Sequence, residues 1–181
     1  MTWPSHFLET IFHSQVLERG LEIELRCIHH LPDKPVVRRF YGSLSKFEQA
    51  WQEILNLNRQ GFNVYFGVVP RDPKNDHKPV EPTILTCLWV DIDVGPDKPI
   101  KNLQLALNRV KTLQIKPTIV VKSGHGLHVY FCLKKPTEID PRSARAMLRA
   151  LAELTGGDLQ SAEIARLLRL PNTVNWKGPK S

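Results

Sequence analysis

Two aspartates in an apolar segment, Leu88–Val94, are the residues of this sequence best suited to metal chemistry. Successive side chains of a β-strand point to opposite faces, so Asp91 and Asp93 would share one face with Trp89. Positions two apart lie roughly 6.5–7 Å from each other along a strand. From there the carboxylates can converge on two divalent cations about 3.5–4 Å apart, as in phosphoryl transfer. The alternative is a half-exposed strand with an acidic polar face. Because Asp is uncommon in strands and like charges repel, we expect a positive group beside this pair.

A histidine is the next candidate for the same site. Residues 123–131 are Ser-Gly-His-Gly-Leu-His-Val-Tyr-Phe, which predicts a glycine-bounded turn that leads into a strand. If this strand pairs with Leu88–Val94 so that their polar faces coincide, His128 lies beside the two aspartates. A purely structural histidine is the alternative. His125, three residues earlier, would point to the opposite face and is not expected to join His128.

Cationic and amide side chains in two further segments are candidates for contact with a polyanion. Arg and Lys supply phosphate contacts, and Thr and Asn can bond to sugar or base groups. In the first segment, Ser161 is a predicted cap for a short helix at 162–168, and a frayed terminal strand is the alternative for residues 169–177. In the second, four prolines predict a solvated loop at 70–82. The candidates are Arg166, Arg169, Thr173, Asn175 and Lys177 in the first segment, and Arg71, Lys74 and Lys78 in the second.

Composition and charge fit a globular polyanion-binding protein. The chain has 181 residues, of which 41% are hydrophobic and 24% charged, enough for one domain of one or two lobes. No apolar run approaches the ~20 residues of a membrane span, and the first residues do not resemble a signal peptide, so we expect a cytoplasmic protein. Three widely spaced cysteines predict buried thiols.

The net charge is concentrated in the second half of the chain. Residues 91–181 hold fifteen Lys/Arg and eight Asp/Glu, which accounts for the whole net charge of +7. An ordinary basic surface is the alternative.

The elements that must position these residues are alternating helices and strands. Apolar spacing predicts helices at 5–19, 45–58 (with Ser45 as its cap), 103–114 and 141–155. Alternation and β-branched composition predict strands at 21–27, 36–41, 63–69, 88–94, 118–121 and 127–131. This succession predicts an α/β (α+β) fold with pieces of an antiparallel sheet in its second half.

Three motifs in order resemble the archaeo-eukaryotic primase superfamily, and within it the primase-polymerase domains of plasmid, phage and CRISPR-associated proteins. They are Trp89–Asp93, Ser123–His128 and Ala165–Lys177. In that superfamily an acidic pair is followed by a small residue, any residue and then His, and later by a third acid. Asp158 is the best match for the third acid and Glu163 is the alternative. The resemblance extends from about residue 63 to residue 177.

The resemblance implies a primase-like fold in a single catalytic domain over 1–181. An N-terminal αβ lobe at about 1–83 would pack on an RRM-like catalytic lobe, a mixed sheet with helices, at about 84–181. The implied activity is template-directed nucleotidyl transfer by a primase, a DNA polymerase or both. Two Mg²⁺ or Mn²⁺ ions would be held by Asp91, Asp93 and Asp158, one activating the attacking 3′-hydroxyl and the other stabilising the leaving pyrophosphate.

The same resemblance implies roles for the remaining candidates. Residues expected to meet the incoming nucleotide are His128, Ser123, Arg166, Arg169, Thr173, Asn175 and Lys177. Residues expected to meet nucleic acid are Arg71, Lys74 and Lys122. The implied partners are single-stranded DNA template, primer and dNTP or NTP, with no membrane. A helicase or accessory domain would join them if, as we expect, the chain is the N-terminal part of a longer protein. Asn172 stands where relatives often have Gly, which should alter that turn without removing a catalytic group.

Two other classes of function fit parts of the sequence. A rolling-circle replication nuclease would hold its metal with histidines and use Tyr130 or Tyr41 as the nucleophile. Its histidines should lie two apart to share a strand face, whereas His125 and His128 are three apart. A non-catalytic nucleic-acid-binding module would keep the fold without the chemistry. The presence of all three candidate metal-binding acids favours an enzyme over such a module.

Overall fold

A computed structural model describes residues 2–176 and divides the chain into two compact units. The first unit runs to Val80 and takes up the chain again from Leu167, and the second unit is Glu81–Arg166. The sequence predicts a second lobe that continues to the end of the chain. The structure instead returns the C-terminal segment to the first unit, because that segment adds a strand to the first unit's sheet. That 1–181 is one catalytic domain stays a prediction.

Six α-helices and nine strands lie in the described residues. The helices are α1 (Ser5–Ile11), α2 (Ser14–Leu17), α3 (Leu44–Gln49), α4 (Trp51–Arg59), α5 (Leu103–Thr112) and α6 (Pro141–Thr155). The strands are β1 (Ile23–His29), β2 (Val37–Tyr41), β3 (Phe62–Gly67), β4 (Arg71–Asp72), β5 (Lys78–Pro79), β6 (Thr83–Asp93), β7 (Ile119–Lys122), β8 (Gly126–Ile139) and β9 (Leu167–Arg169). Within residues 2–176, no helix combines the length and the apolar composition needed to cross a membrane.

The helices of the first unit are shorter than the sequence predicts. The predicted helix at 5–19 is divided into α1 and α2 because Phe12 between them is extended, and its buried ring lies against Phe66. The predicted helix at 45–58 is likewise divided into α3 and α4. The cap of α3 is Ser43, whose hydroxyl accepts a hydrogen bond from the Lys46 N–H. The prediction that Ser45 caps this helix is wrong.

The first unit's sheet is antiparallel throughout, with strand order β2-β1-β3-β9. One face is apolar and buried along β1 and β3, with Leu25, Val64 and Phe66 at 0–1% exposure. The Phe7 ring of α1 meets the Phe66 ring edge-on at 5.5 Å, so the helices supply the other side of this core. The second face of the sheet is polar.

Two predicted elements around the sheet are corrected. The predicted helix at 162–168 does not form, because Leu167–Arg169 pairs with β3 as a strand. A 3₁₀ helix at Leu159–Ser161 is the helical turn that precedes it. The segment at 70–82 is mostly exposed, as a solvated loop should be. It nevertheless contains the β4–β5 hairpin and a 3₁₀ turn at Pro73–Asn75.

The second unit is built on a three-stranded antiparallel sheet of order β6-β8-β7. α5 and α6 cover one of its faces. They enclose a core that includes Val90 and Ile92 of β6 and Leu127 and Val129 of β8. Since side chains alternate along a strand, Asp91, Asp93 and the other odd-numbered residues of this part of β6 lie on the opposite face. The core therefore fixes the direction in which the acidic pair points.

Candidate active site

The pairing of β6 with β8 places the acidic pair beside the histidine. Asp91 lies directly opposite His128, and Asp93 lies opposite Gly126. The His128 Nε2 atom is 3.6 Å from Asp91 Oδ1. His128 and Asp91 are therefore adjacent, as predicted, whereas Asp93 lies one residue pair further along the same face. At 5% exposure His128 is buried on the polar face of the sheet. Its contact with Asp91 is a structural fact, whereas its contact with a nucleotide stays a prediction.

A glycine allows this register. A Cβ atom at Gly126 would lie 1.9 Å from the Ile92 carbonyl oxygen, closer than any side chain can approach a backbone atom. β8 therefore begins in close contact with β6 only because residue 126 has no side chain. The small residue of the second motif has a physical reason, which is to bring the strand that carries His128 against the acidic strand.

Asp158 reaches the site because the chain leaving α6 crosses β6, which is an edge strand. The Asp158 N–H donates to the Asp91 carbonyl oxygen at 2.8 Å. A Cβ at Gly157 would lie 2.2 Å from Val90 Cγ2 and 3.0 Å from the same carbonyl oxygen, so only glycine fits at the crossing. Beyond it, the Trp89 indole N–H donates to the Ser161 carbonyl oxygen at 3.1 Å and holds the segment on the polar face.

A guanidinium lies between two of the acids. The Arg166 Nη2 atom is 3.1 Å from Asp91 Oδ2 and 3.9 Å from Asp158 Oδ2. The ammonium of Lys98, which lies in the turn after β6, is 2.7 Å from Asp93 Oδ2. These are the positive groups that the acidic pair requires. Three carboxylates against two cations leave a deficit of one positive charge in the cluster.

The Asp91 carboxyl is the electrostatically strained member of the cluster. Burial raises its pKa, and the neighbouring Asp93 charge raises it further. The Arg166 guanidinium opposes this, but the net pKa remains above the ordinary value of 3.8. A partly buried carboxylate whose pKa is raised by burial and by other acids is stabilised by additional positive charge, and such groups concentrate at functional sites.

The structure distinguishes the two candidates for the third acid. Asp158 shares Arg166 with Asp91, and its other carboxylate oxygen accepts the Gln160 N–H as the cap of the 3₁₀ helix. Glu163 is exposed and forms an ion pair with Arg145 of α6 at 3.1 Å. Of the two, Asp158 is therefore the acid that the fold brings to Asp91.

The acids fit a divalent cation by donor chemistry, since Mg²⁺ and Mn²⁺ prefer carboxylate oxygens. Asp91, Asp93 and Asp158 also carry more negative charge than Arg166 and Lys98 neutralise. Within residues 2–176, no three His, Cys, Asp or Glu side chains are grouped closely enough to hold a metal ion as they stand. The side chains of Arg166 and Lys98 occupy positions next to the carboxylates.

The two remaining candidates of the second unit lie near the start of β8. Ser123 is buried in the turn before it, where its N–H donates to the Gly126 carbonyl oxygen at 3.0 Å. Lys122 is exposed and pairs with Leu127 in the sheet. Lys122 therefore lies on the face opposite to His128, away from the acids. That Lys122 touches nucleic acid stays a prediction.

The C-terminal candidates belong to the first unit. The Arg169 guanidinium donates to Asn63 Oδ1 at 3.0 Å and to the Tyr65 hydroxyl at 3.2 Å. Thr173 donates its hydroxyl hydrogen to the Leu170 carbonyl oxygen, which closes the turn. Asn175 is partly buried. Lys177 lies outside the described residues.

A buried asparagine holds this segment in place. Asn58, fully buried, accepts the Val174 N–H at 2.8 Å and donates to the Val174 carbonyl oxygen at 3.0 Å, as a paired strand would. Its own carbonyl oxygen accepts the Trp176 indole N–H. Asn172 adopts φ +60°, a conformation that glycine adopts freely and asparagine tolerates. Its departure from the expected glycine therefore leaves the turn intact.

Of the three candidates in the 70–82 segment, Arg71, Lys74 and Lys78, the first is corrected by the structure. Arg71 is 2% exposed, and its Nε lies 2.7 Å from Glu24 Oε2. A buried guanidinium bound to a carboxylate does not reach a phosphate, so Arg71 is a structural residue. Lys74 is exposed at the tip of the β4–β5 hairpin and stays a candidate.

Sequence reasoning missed several residues that build the site. Lys98 lies in a segment that predicts only a turn, and nothing in its spacing points to Asp93. Gly157 follows another glycine at the end of α6, where a helix stop is sufficient explanation. The signal that was available is the order Gly-Gly-Asp, since a glycine before a functional acid permits close backbone approach.

Comparison with solved structures identifies the fold. The catalytic domain of primase RepB′ in complex with initiator DNA matches 94% of this chain and 78% of its own, with TM-score 0.62 and 20% identity. The chain shares the fold of this primase domain. A longer structure of primase RepB′ matches with the same TM-score and identity over 96% of this chain, which spans about half (52%) of that protein.

A phage protein shares this primase fold. The AEP domain of the cyanophage S-2L primase-polymerase matches 90% of this chain and 80% of its own, with TM-score 0.59 and 18% identity. No family profile matches the sequence, and no curated protein matches it. The fold class expected from the three motifs is confirmed by these structures.

The close packing at Gly157, where the chain crosses β6, leads to a prediction about stability. In Gly157→Ala the new methyl group would overlap Val90 and the Asp91 carbonyl oxygen, so the strand and the crossing must separate. We expect a loss of about 1–3 kcal/mol in the free energy of unfolding, measured by urea denaturation. Gly42→Ala is the control, because a Cβ there meets nothing within 4 Å. Equal stability of the two variants would contradict the crowding at the crossing.

The raised pKa of Asp91 predicts a pH-dependent stability difference. An acid whose pKa is higher in the folded chain than in the unfolded chain binds its proton more tightly when folded, so its contribution to stability falls as pH rises above 3.8. Asn does not ionise. The free energy of unfolding of Asp91→Asn relative to wild type should therefore increase between about pH 4 and about pH 7 in metal-free buffer. Asp97→Asn serves as the control, because Asp97 is exposed. If the difference in free energy of unfolding between Asp91→Asn and wild type stays constant or decreases with pH, the pKa of Asp91 is not raised in the folded chain.

Proposed function

We propose that this protein is a DNA-priming nucleotidyl transferase that adds nucleotides to a 3′-hydroxyl on a single-stranded template. The observation that supports this most directly is the gathering of Asp91 and Asp158, 67 positions apart in the sequence, around one guanidinium. Asp93 and His128 lie at the same end of the sheet. The primase fold of the chain supports the same class of reaction.

In this proposal Asp91, Asp93 and Asp158 hold Mg²⁺ or Mn²⁺. The bound ions would lower the pKa of the attacking hydroxyl and neutralise the leaving pyrophosphate. The chain's own contribution is the rigid presentation of the acids. β6 fixes two of them, and the backbone hydrogen bond from Asp158 to Asp91 fixes the third relative to those two. His128 lies beside Asp91, with its Nε2 atom 3.6 Å from Asp91 Oδ1.

The positive groups have two roles in this proposal. While metal is absent, Arg166 and Lys98 neutralise part of the negative charge of the acids. Arg166 is 29% exposed, which leaves its guanidinium able to meet the triphosphate of an incoming nucleotide. Arg169 and Lys177 would meet triphosphate or template, and the remaining nucleotide contacts proposed are His128, Ser123, Thr173 and Asn175.

The rolling-circle nuclease is a weaker candidate. A tyrosine nucleophile must be accessible, but Tyr130 is fully buried and burial raises its pKa well above the ordinary value of 10. Burial also raises the pKa of Tyr41 to about 12, and its ring stacks on Phe47 at 4.6 Å. The buried Tyr130 hydroxyl is inaccessible, and the raised pKa of the partly exposed Tyr41 makes its hydroxyl a poor nucleophile.

Incorporation of labelled nucleotides on a single-stranded template tests the catalytic proposal. We expect Asp91→Asn and Asp158→Asn each to lower the rate by at least about 100-fold, because a carboxylate that stabilises the transition state is lost. Template binding should be retained. Glu163→Gln is the matched control, since Glu163 is exposed and paired with Arg145, away from the other acids. Wild-type protein that extends no primer and starts no chain with Mg²⁺ or Mn²⁺ would overturn the proposal.

Thermal unfolding with increasing Mn²⁺ tests metal binding without catalysis. A ligand that binds only the folded state raises Tm with concentration. We expect this rise for wild type and Glu163→Gln, and a much smaller rise for the Asp91→Asn/Asp93→Asn double variant. Identical curves for the double variant and wild type would show that these acids do not hold the ion.

A further inference from the structure

A row of three arginines and one tyrosine crosses the polar face of the first unit's sheet. Arg26 of β1 lies opposite Arg38 of β2 on one side and opposite Tyr65 of β3 on the other. Tyr65 in turn lies opposite Arg169 of β9. Directly opposite residues of an antiparallel pair project to the same face, so these four side chains form one line across all four strands. We call them the arginine row.

The arginine row has a length suited to a chain of phosphates. Neighbouring strands lie about 4.8 Å apart, so four positions cover roughly 14 Å. Arg38 is 46% exposed and Arg26 is 32% exposed at the outer end, whereas Arg169 is 8% exposed at the inner end. A ligand would therefore reach the row most readily at Arg38 and Arg26.

A single buried carboxylate holds the outer end of the row. Glu24, 1% exposed, accepts hydrogen bonds from Arg26 and from Arg38, the latter at 3.1 Å, and its other oxygen binds Arg71. Burial alone would raise the pKa of Glu24, but the hydrogen bond from Arg26 and the charges of the three arginines lower it overall. One negative charge thus faces three positive ones. The guanidiniums are fixed in direction but not neutralised.

Aromatic rings accompany the arginines. The Arg169 Cζ atom lies 5.0 Å from the centre of the Tyr65 ring, and the Arg38 Cζ atom lies 5.1 Å from the centre of the Phe40 ring. Surfaces that combine fixed cations with aromatic side chains bind single strands, because phosphates meet the cations while unpaired bases stack on planar groups. Arginine is well suited to this, since its guanidinium binds phosphate with two donors and also stacks on bases.

We infer that the arginine row binds single-stranded DNA and that Arg26 and Arg38 supply its phosphate contacts. This deepens the proposed function by naming a template-binding surface, and in that sense rests on it. The binding itself requires neither metal ions nor the acids at residues 91, 93 and 158. The two proposals can therefore fail independently.

Fluorescence anisotropy with a labelled single-stranded oligonucleotide in EDTA, over a range of salt concentrations, tests the inference. The variant is Arg26→Ala/Arg38→Ala, which leaves Glu24 its buried partner Arg71. The control is Arg39→Ala/Arg59→Ala, which removes two exposed arginines. Arg39 follows Arg38 in β2 but lies on the other face, where it meets Glu53 of α4. Single variants and circular dichroism melting curves establish that each protein is folded.

We expect the row variant to bind at least about tenfold more weakly than wild type at low salt, and the slope of log K against log salt to fall by about 1.4 for two lost contacts. The control should bind like wild type. Equal effects of the two double variants, an unchanged slope, or a preference for duplex over single strand would each overturn the inference. If wild type binds in this way but incorporates no nucleotide, the surface stands and the proposed function fails.

Discussion

The candidate site depends on one backbone contact at the edge of a sheet. β6 is an edge strand, and the carbonyl oxygen of Asp91 would otherwise be an unpaired acceptor on that edge. The Asp158 N–H satisfies it, and Gly157 allows the approach. The same hydrogen bond that covers the strand edge therefore also joins two acids that are far apart in sequence. This one hydrogen bond therefore contributes both to the stability of the sheet edge and to the geometry of the site.

That interaction brings like charges together, which has a cost in stability. Asp91 is partly buried, close to two other carboxylates, and its pKa is raised. The chain compensates in part with Lys98, from the turn after β6, and with Arg166, from the segment between the 3₁₀ helix and β9. Two positive charges do not balance three carboxylates, so one negative charge remains in excess. Proteins keep an arrangement of this kind when the excess charge serves a ligand, because a structural role would be met better by an apolar or neutral side chain.

The sequence predicts the strand faces of this site well, because their cause is local. Alternation along β6 and β8 determines that Asp91, Asp93 and His128 face the same way, and the pairing of the strands confirms it. The segment after α6 could not be predicted in the same manner. Its leucines have spacing that suits a helix, but pairing of Leu167–Arg169 with β3 decides its conformation. A partner about 100 residues away leaves no trace in local periodicity.

The arginine row shows why charge counted along a sequence is a poor guide to charge on a surface. Residues 1–90 are neutral overall, which gives no reason to expect a polyanion there. Folding then sorts the charges by face. Glu53 lies on the helical side with Arg39, while Arg26 and Arg38 lie on the polar face, where both bind Glu24. Because strand alternation separates adjacent residues such as Arg38 and Arg39, a neutral segment can present a strongly cationic surface. Electrostatic recognition depends on this sorting, which becomes visible only once the strand register is known.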